Sequence, residues 1–440
     1  MSHEVIVVGA GLAGLTCGRL LGERAILLER GEQVGGVAGS VQRDGFTFDH
    51  TGHWLHLSQP WTRDLIAELF RPEELIEVQR RAAIVSRGIR TAYPFQANTY
   101  GRPTDVVAAC VLGYFQARER KLQGNAPAPA TFEDYIRDEL GDGVAEHFML
   151  PYNQKLWCTP PRELDAAWCR RFVPTPTPEE VVRGALSSDG AGHGIGYNAS
   201  FLYPRVGGIG ELSRRLAHSL HAAPRTHAAV AKIDWSAKSL VLGDGTTLAY
   251  EHLVSSMPLC DLVDRLAPLP AELREARTAL RAVSVTYWDV GVRGVNGTDD
   301  AHWTYFPDDD VPFYRVGSPS SVLPTLAPAG HRSYYVEVAH LRGNPPPCDD
   351  AKVLAGLRRA GLVGTHEEPV LMVRNTLDVA YVIMDHAYGA ARATLLAWLA
   401  AHNIASIGRY GAWTYDSMEG AMLQGRDAAW RIGASVAACA

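Results

Sequence analysis

Three glycines, Gly9, Gly11 and Gly14, stand between an apolar run, Val5 to Val8, and a helix-period segment carrying Leu12, Leu15, Leu20 and Leu21. The chemistry this spacing serves is the cradling of a pyrophosphate. Gly9 permits a tight turn. Gly11 puts no side chain between backbone and phosphate, and Gly14 lets the helix close onto the strand. The helix N-terminus offers free N–H groups and the positive end of its dipole. Glu29 closes the next apolar run, Ala25 to Leu28, where its carboxylate can accept hydrogen bonds from ribose hydroxyls. Alone, Glu29 reads as a solvated strand-end charge and GxGxxG as a turn. The full order of strand, turn, helix, strand and acid makes them a dinucleotide site.

Glu29-Arg30 is soon followed by Val34-Gly35-Gly36-Val37-Ala38-Gly39. Taken alone this is a glycine turn. Placed so soon after the ribose acid, it resembles the extended fingerprint of FAD oxidoreductases in the amine oxidase and UDP-galactopyranose mutase group. The resemblance implies FAD as cofactor, with Gly35 and Gly36 letting backbone pass close to it and Arg30 beside them.

Later blocks keep the order of the UDP-galactopyranose mutase-like family. They are Phe48-Asp49-His50-Thr51-Gly52-His53-Trp54, Tyr93-Pro94-Phe95-Gln96, Pro151-Tyr152-Asn153-Gln154-Lys155-Leu156-Trp157 with Trp168, and Asn198 to Pro204. Phe313-Tyr314-Arg315 and Gly408-Arg409-Tyr410 through Tyr415 complete the series. The resemblance implies that Gly52 and His53 lie beside the flavin ring. It places Gly408, Arg409 and the helix from Met418 on the ribityl-pyrophosphate side. It puts Tyr152, Asn153, Trp157, Asn198, Arg315 and Tyr415 at the substrate, with His53, Arg315 and Tyr415 serving catalysis. Each has a plainer reading: His53 as a satisfied buried histidine, Trp157 and Trp168 as core aromatics, Arg315 as the partner of a structural carboxylate, and Tyr415 as packing. The chain also departs from the family. Phe172 stands where an arginine is usual, so Arg170 or Arg171 is expected to reach the cleft instead. Val322 replaces a usual tyrosine, and Asp416-Ser417-Met418 replaces the usual Gly-Asn-Gln.

The activity implied is a pyranose–furanose isomerisation of a nucleoside diphosphate sugar, with N5 of reduced FAD as nucleophile and NAD(P)H or another reductant as partner. The protein would position substrate and neutralise diphosphate charge. No Ser-His-Asp, HExxH or paired-carboxylate pattern competes with that reading. The rival is an FAD-dependent oxidoreductase of the amine oxidase, desaturase or protoporphyrinogen oxidase type. A flavin-containing binding or sensor module is a third.

The elements that must position these residues are those of an α/β chain: a glutathione-reductase-like FAD-binding Rossmann domain with an inserted helical domain and an antiparallel β-sheet substrate domain. The expected division gives residues 1–80, 205–262 and 395–440 to the FAD domain and 104–187 to helices. Residues 81–103, 188–204 and 263–394 go to the sheet. Trp168 is expected on a short helix between two proline clusters, and 184–196 in a mobile glycine- and serine-rich stretch. A net charge of −6 over 440 residues gives no argument for nucleic acid. No stretch approaches a membrane span. Seven scattered cysteines without CxxC or metal-ligand spacing suit a reducing, cytoplasmic setting and no metal.

Overall fold

The computed structural model describes residues 2–124, 128–169, 173–188, 200–295 and 301–437. The chain opens with strand β1 (Ser2–Val8), helix α1 (Leu12–Leu21) and strand β2 (Ala25–Leu28). β1 pairs in parallel with β2, Val5 beside Ala25 and Val8 beside Leu28. On its other edge it pairs in parallel with Thr247–Ser255. Because side chains alternate along a strand, Val5 and Val7 enter one hydrophobic core, while Ile6 and Val8 enter another. That two-sided burial is why the run is continuously apolar. Ser239–Leu242 and Val230–Asp234 extend the sheet antiparallel, and Ile404–Ser406 joins Thr247–Ser255 in parallel, making six strands.

A second sheet has seven strands in the order Leu371–Val382, Ala282–Arg293, His331–Leu341, Arg315–Gly317, Trp303–Tyr305, Ala82–Ser86, Ile89–Ala92. It is antiparallel except where Trp303–Tyr305 meets Ala82–Ser86. The strand Ala282–Arg293, second in that order, is buried on both faces, with only Arg293 exposed. Its alternation marks two cores rather than a wet and a dry face. Trp288, Val290 and Val292 pack with Val353 and Leu357 of the helix Asp350–Arg359, while Val283, Val285 and Tyr287 face the larger core.

Between the sheets in sequence lie the helices Thr104–Leu122, Phe132–Leu140, Leu150–Trp157 and Pro178–Leu186. Thr131 caps the second: its hydroxyl accepts from Asp134 N at 3.1 Å and Asp134 accepts from Thr131 N at 3.0 Å. Two local expectations are corrected. Trp168 sits in a turn, because residues 164 and 165 bridge to Asp385 and Thr131 instead of forming a helix. Gly184 belongs to the helix Pro178–Leu186, pressed so close to Ala97 that a Cβ would stand 1.8 Å from its carbonyl oxygen. Residues 189–196 lie outside the described residues.

The last described element is the helix Met418–Ala437, which returns to pack along α1. No described helix is long and apolar enough to cross a membrane.

Candidate functional site

Between the two sheets is a cavity of about 1930 Å³. Its floor at the six-stranded sheet is the turn from β1 into α1. Gly9 turns the chain with a φ of +97° and donates its N–H to Leu28 O at 2.7 Å. Gly35 N donates to Ala10 O at 2.7 Å, which holds the second glycine pair alongside Gly11. A Cβ on Gly14 would stand 1.9 Å from Gly9 O, so the helix meets the turn with no room for a side chain. A Cβ on Gly11 would meet no protein atom within 4 Å. The space above Gly11 is therefore open, at a helix start with no acidic side chain in its first turn. Glu29 accepts from Ala10 N and Gly31 N, both at 2.8 Å, tying the turn to the end of β2. A carboxylate so engaged retains further lone pairs for a ligand.

The next wall is the segment after strand Phe46–Asp49. Asp49 fixes its start, accepting from Ser40 Oγ at 2.5 Å, Tyr203 Oη at 2.7 Å and Ile209 N at 3.0 Å. Burial still pushes its carboxyl up to about 6. At Gly52 a Cβ would lie 2.2 Å from the hydroxyl of Tyr335. His53 follows with Nδ1 buried and without a hydrogen-bond partner. Burial pushes its imidazole down to about 3, helped by Arg409, His50 and Arg315 and weakly opposed by the His50 backbone. The ring is neutral at physiological pH.

The seven-stranded sheet supplies the facing wall. Arg315 and Glu337 are direct cross-strand neighbours. Arg315 donates from Nε at 3.0 Å and Nη2 at 2.8 Å to the two oxygens of Glu337, which has no exposed surface. The Tyr314 hydroxyl donates to the same carboxylate. Arg409 is held differently. Its Nη1 donates to Asp416 O at 2.6 Å and its Nη2 to Ala380 O at 3.3 Å. Its guanidinium lies 4.5 Å from the ring centre of Tyr415 and 5.5 Å from that of Tyr381. Tyr415 stacks on Tyr381. Arg409 forms no ion pair among the described residues; the nearby Asp416 and the surrounding tyrosines favour its charge without meeting it in one.

The cavity thus gathers Gly9, Gly11, Glu29, Arg30, Gly35, Gly36, Gly52, His53, Arg315, Gly408, Arg409, Tyr415 and Met418 in its lining. Gly14 lies beneath the turn. Tyr152, Asn153 and Trp157 are buried behind the lining. Asn153 Nδ2 donates to Met149 O at 2.8 Å and Trp157 Nε1 to Asn153 Oδ1 at 3.2 Å, while the Trp157 ring meets Tyr381 and Tyr415 edge-on. Arg170, Arg171 and Asn198 lie outside the described residues. Sequence reasoning missed Glu337 and Tyr381. Glu337 carried a signal: it is the acid in an otherwise apolar, alternating run, Tyr334 to Val338. Tyr381 carried none, since a tyrosine near the end of a strand is ordinary.

Over residues 12–433 the chain matches the family described as flavin containing amine oxidoreductase. The chain belongs to that family. Its cofactor is FAD, and the residues present fit it: an open cradle over Gly11, a helix N-terminus, an acid at the end of β2, and an unpartnered histidine nitrogen in the same cavity. Among solved structures, a reduced UDP-galactopyranose mutase superposes with a TM-score of 0.91 at 24% identity, covering 99% of this chain and 94% of that one. A putrescine oxidase variant superposes with a TM-score of 0.66 at 17% identity, covering 99% of both. A fatty acid isomerase from P. acnes that produces CLA gives 0.65 at 14% identity, covering 98% of both. At these identities the likeness is one of fold. Proteins of this fold thus include a mutase and an isomerase as well as an oxidase.

Proposed function

We propose that this protein is a flavin-dependent isomerase of nucleoside diphosphate sugars, interconverting pyranose and furanose forms with FAD held reduced. The observation that carries the reading is Arg409, a guanidinium in the cavity wall held by backbone carbonyls rather than by an ion pair, close to Tyr415 and sharing the cavity with Arg315. Such a wall suits an anionic substrate. The close superposition on a UDP-galactopyranose mutase supports the same class.

In this reading Gly11, Gly35, Gly36 and the start of α1 hold the FAD pyrophosphate, and Glu29 with Arg30 the adenosine side. Gly408 and Met418 hold the ribityl side, and Gly52 and His53 the ring. When bound and reduced, the isoalloxazine supplies an electron pair to the anomeric carbon. The protein's own part is electrostatic and positional. Arg409, which the resemblance set on the flavin's ribityl-pyrophosphate side but which packs here against Tyr381 and Tyr415, joins the Nη1 end of Arg315 in attracting the diphosphate, and the Tyr415 hydroxyl donates a hydrogen bond to it. Neutral His53 accepts a hydrogen bond without adding charge, and the aromatic walls exclude water. A nicotinamide is the natural reductant. The six described cysteines are all unpaired, which suits a cytoplasmic enzyme.

A second reading, an oxidoreductase, is favoured by one observation. Glu337 already neutralises Arg315, leaving much of the facing wall to Tyr93, Tyr305, Tyr314 and Tyr381. An apolar cage of that kind suits an uncharged substrate. The test is an anaerobic assay of oxidised and reduced enzyme against a panel of nucleoside diphosphate sugars, with products separated by chromatography. Turnover confined to the reduced enzyme is expected. Silence across the panel, with bleaching of oxidised flavin by an amine, alcohol or saturated precursor, hands the protein to the oxidoreductase reading.

A further inference from the structure

The strand Leu371–Val382, at the edge of the seven-stranded sheet, does not run evenly beside Ala282–Arg293. Val283 pairs with Tyr381 and Val285 with Leu377, so Asp378, Val379 and Ala380 stand opposite Ser284 alone. The extra residues form a bulge, which re-aims side chains that a regular strand would keep on its two faces. Ser284 pins it from the neighbouring strand, its Oγ donating to Asp378 O at 2.6 Å. All three bulged residues line the cavity. The short helix Leu259–Asp264, which follows the strand Thr247–Ser255 of the six-stranded sheet, gives Asp261 to the same lining.

Arg342 joins the two sheets at this point. Its backbone belongs to the seven-stranded side, with its N–H donating to Ala282 O at 3.0 Å. Its guanidinium donates to Asp378 Oδ2 from Nε at 2.9 Å and Nη2 at 2.6 Å, and from Nη2 to Asp261 Oδ1 at 2.8 Å. Nη1 donates to Cys260 Sγ. Asp261 is tied inward in turn. Its carbonyl accepts from Arg265 Nη1 at 2.7 Å, and Arg265 Nε donates to Val230 O at 2.8 Å. Two residues before Val230, Ala228 N donates to Glu29 O at 2.8 Å. The chain of contacts therefore ends beside the acid of the nucleotide turn.

We propose that Asp378, Arg342 and Asp261 form an ionic strap that closes the Glu29 end of the cavity over the adenosine half of FAD, with Arg342 as a positioning residue for the cofactor. A dinucleotide held between two sheets leaves by parting them, and parting them here pulls the guanidinium from one carboxylate or the other. The strap is built to open. The side chains of Arg342, Asp261 and Asp378 are 27%, 16% and 63% exposed, so each is rehydrated when the contact breaks, and salt screens it. The inference needs only the cofactor and is the same whichever reaction the flavin serves.

The test uses the full-length FAD-loaded chain. Release of FAD after dilution is followed by the rise of flavin fluorescence at low and high sodium chloride, beside a thermal melt of each apoprotein. Salt should speed release from the wild type. Arg342→Gln and Asp378→Asn should each speed it roughly tenfold at low salt, the worth of one charge-assisted hydrogen bond, and each should weaken the salt response. Asp378→Asn is the decisive variant, because it changes only the more exposed carboxylate. Loss of a negative charge near an anionic cofactor would by itself slow release, so faster release reports the strap. The two changes combined should release FAD no faster than either alone, since both break one link in series. A merely structural role would lower the apoprotein melt and leave release as in the wild type. Wild-type or slower release from Asp378→Asn, an undiminished salt response in it, or effects that multiply in the double variant overturn the inference.

Discussion

Arg315 and Glu337 face each other across two antiparallel strands and share two hydrogen bonds, with the carboxylate wholly enclosed. The arginine is thus held in the cavity wall by a partner that never meets solvent. Removing it strands a buried carboxylate, and breaking such a pair costs about 3–5 kcal/mol. Arg315→Ala should therefore lose stability as well as any substrate contact, measured as a lower urea midpoint. Replacing both residues together with Met and Leu should recover much of the loss. A midpoint for Arg315→Ala equal to that of wild type would show that the pair does not hold the wall.

Gly11 and Gly14 belong to one motif but should fail in different ways. Gly11→Val meets no protein atom near its Cβ, so the variant should fold and yet lose its yellow colour, because the side chain fills the cradle. Gly14→Val collides with Gly9 O and should lose stability first. Flavin absorbance against protein, with a thermal melt of each variant, separates the two. Full FAD retention in Gly11→Val removes the cradle from the cofactor site.

That cradle was legible in the sequence because its requirements are local. A turn, a helix start and an acid at the end of a strand lie within about one βαβ unit, and glycine is demanded by backbone contact alone. The facing wall was less so. Asn153 and Trp157 sit on a helix whose orientation is decided by what it packs against, and here they hydrogen-bond to each other behind Tyr381 and Tyr415. Arg315 could be picked out, but its carboxylate lies twenty-two residues away and is brought opposite only by sheet register. The alternation of Ala282–Arg293 was visible, whereas the burial of both its faces depended on a helix near residue 350.

His53 gives a pH signature. Its imidazole is pushed down to about 3 in the fold, chiefly by burial, against an ordinary value of 6.5. Between those values the unfolded chain takes up a proton that the folded one refuses. Stability present above pH 6.5 is therefore lost as pH falls toward 3. His53→Gln should flatten the acid limb of the apoprotein's stability curve, read as urea midpoints from pH 7 to pH 4. An unchanged limb would place the titrating group elsewhere. In the flavin-loaded enzyme, His53→Ala should keep FAD and impair turnover.

Lys155 carries the last prediction, and it concerns a loop rather than the cavity surface. Its ammonium donates to Asp308 O at 2.6 Å, Val311 O at 2.7 Å and Phe306 O at 3.3 Å, so three N–H groups meet three carbonyls. The loop they hold joins the strand ending at Tyr305 to the one beginning at Arg315, both of which line the cavity. Asp308 reinforces it from the other side, accepting from Ser86 Oγ at 3.0 Å and Arg87 N at 2.5 Å. Lys155→Met keeps most of the side-chain volume and removes every donor. Each carbonyl left buried costs about 1–3 kcal/mol, less where the loop can swing to water. The variant should thus unfold at lower urea. If the loop sets the height of Arg315, it should also bind uridine diphosphate several-fold more weakly, with FAD content unchanged. Isothermal titration with uridine diphosphate, alongside the urea curve, reads both effects. A destabilised variant with wild-type affinity would confine Lys155 to folding, and wild-type values in both would show that the loop holds its shape without the lysine.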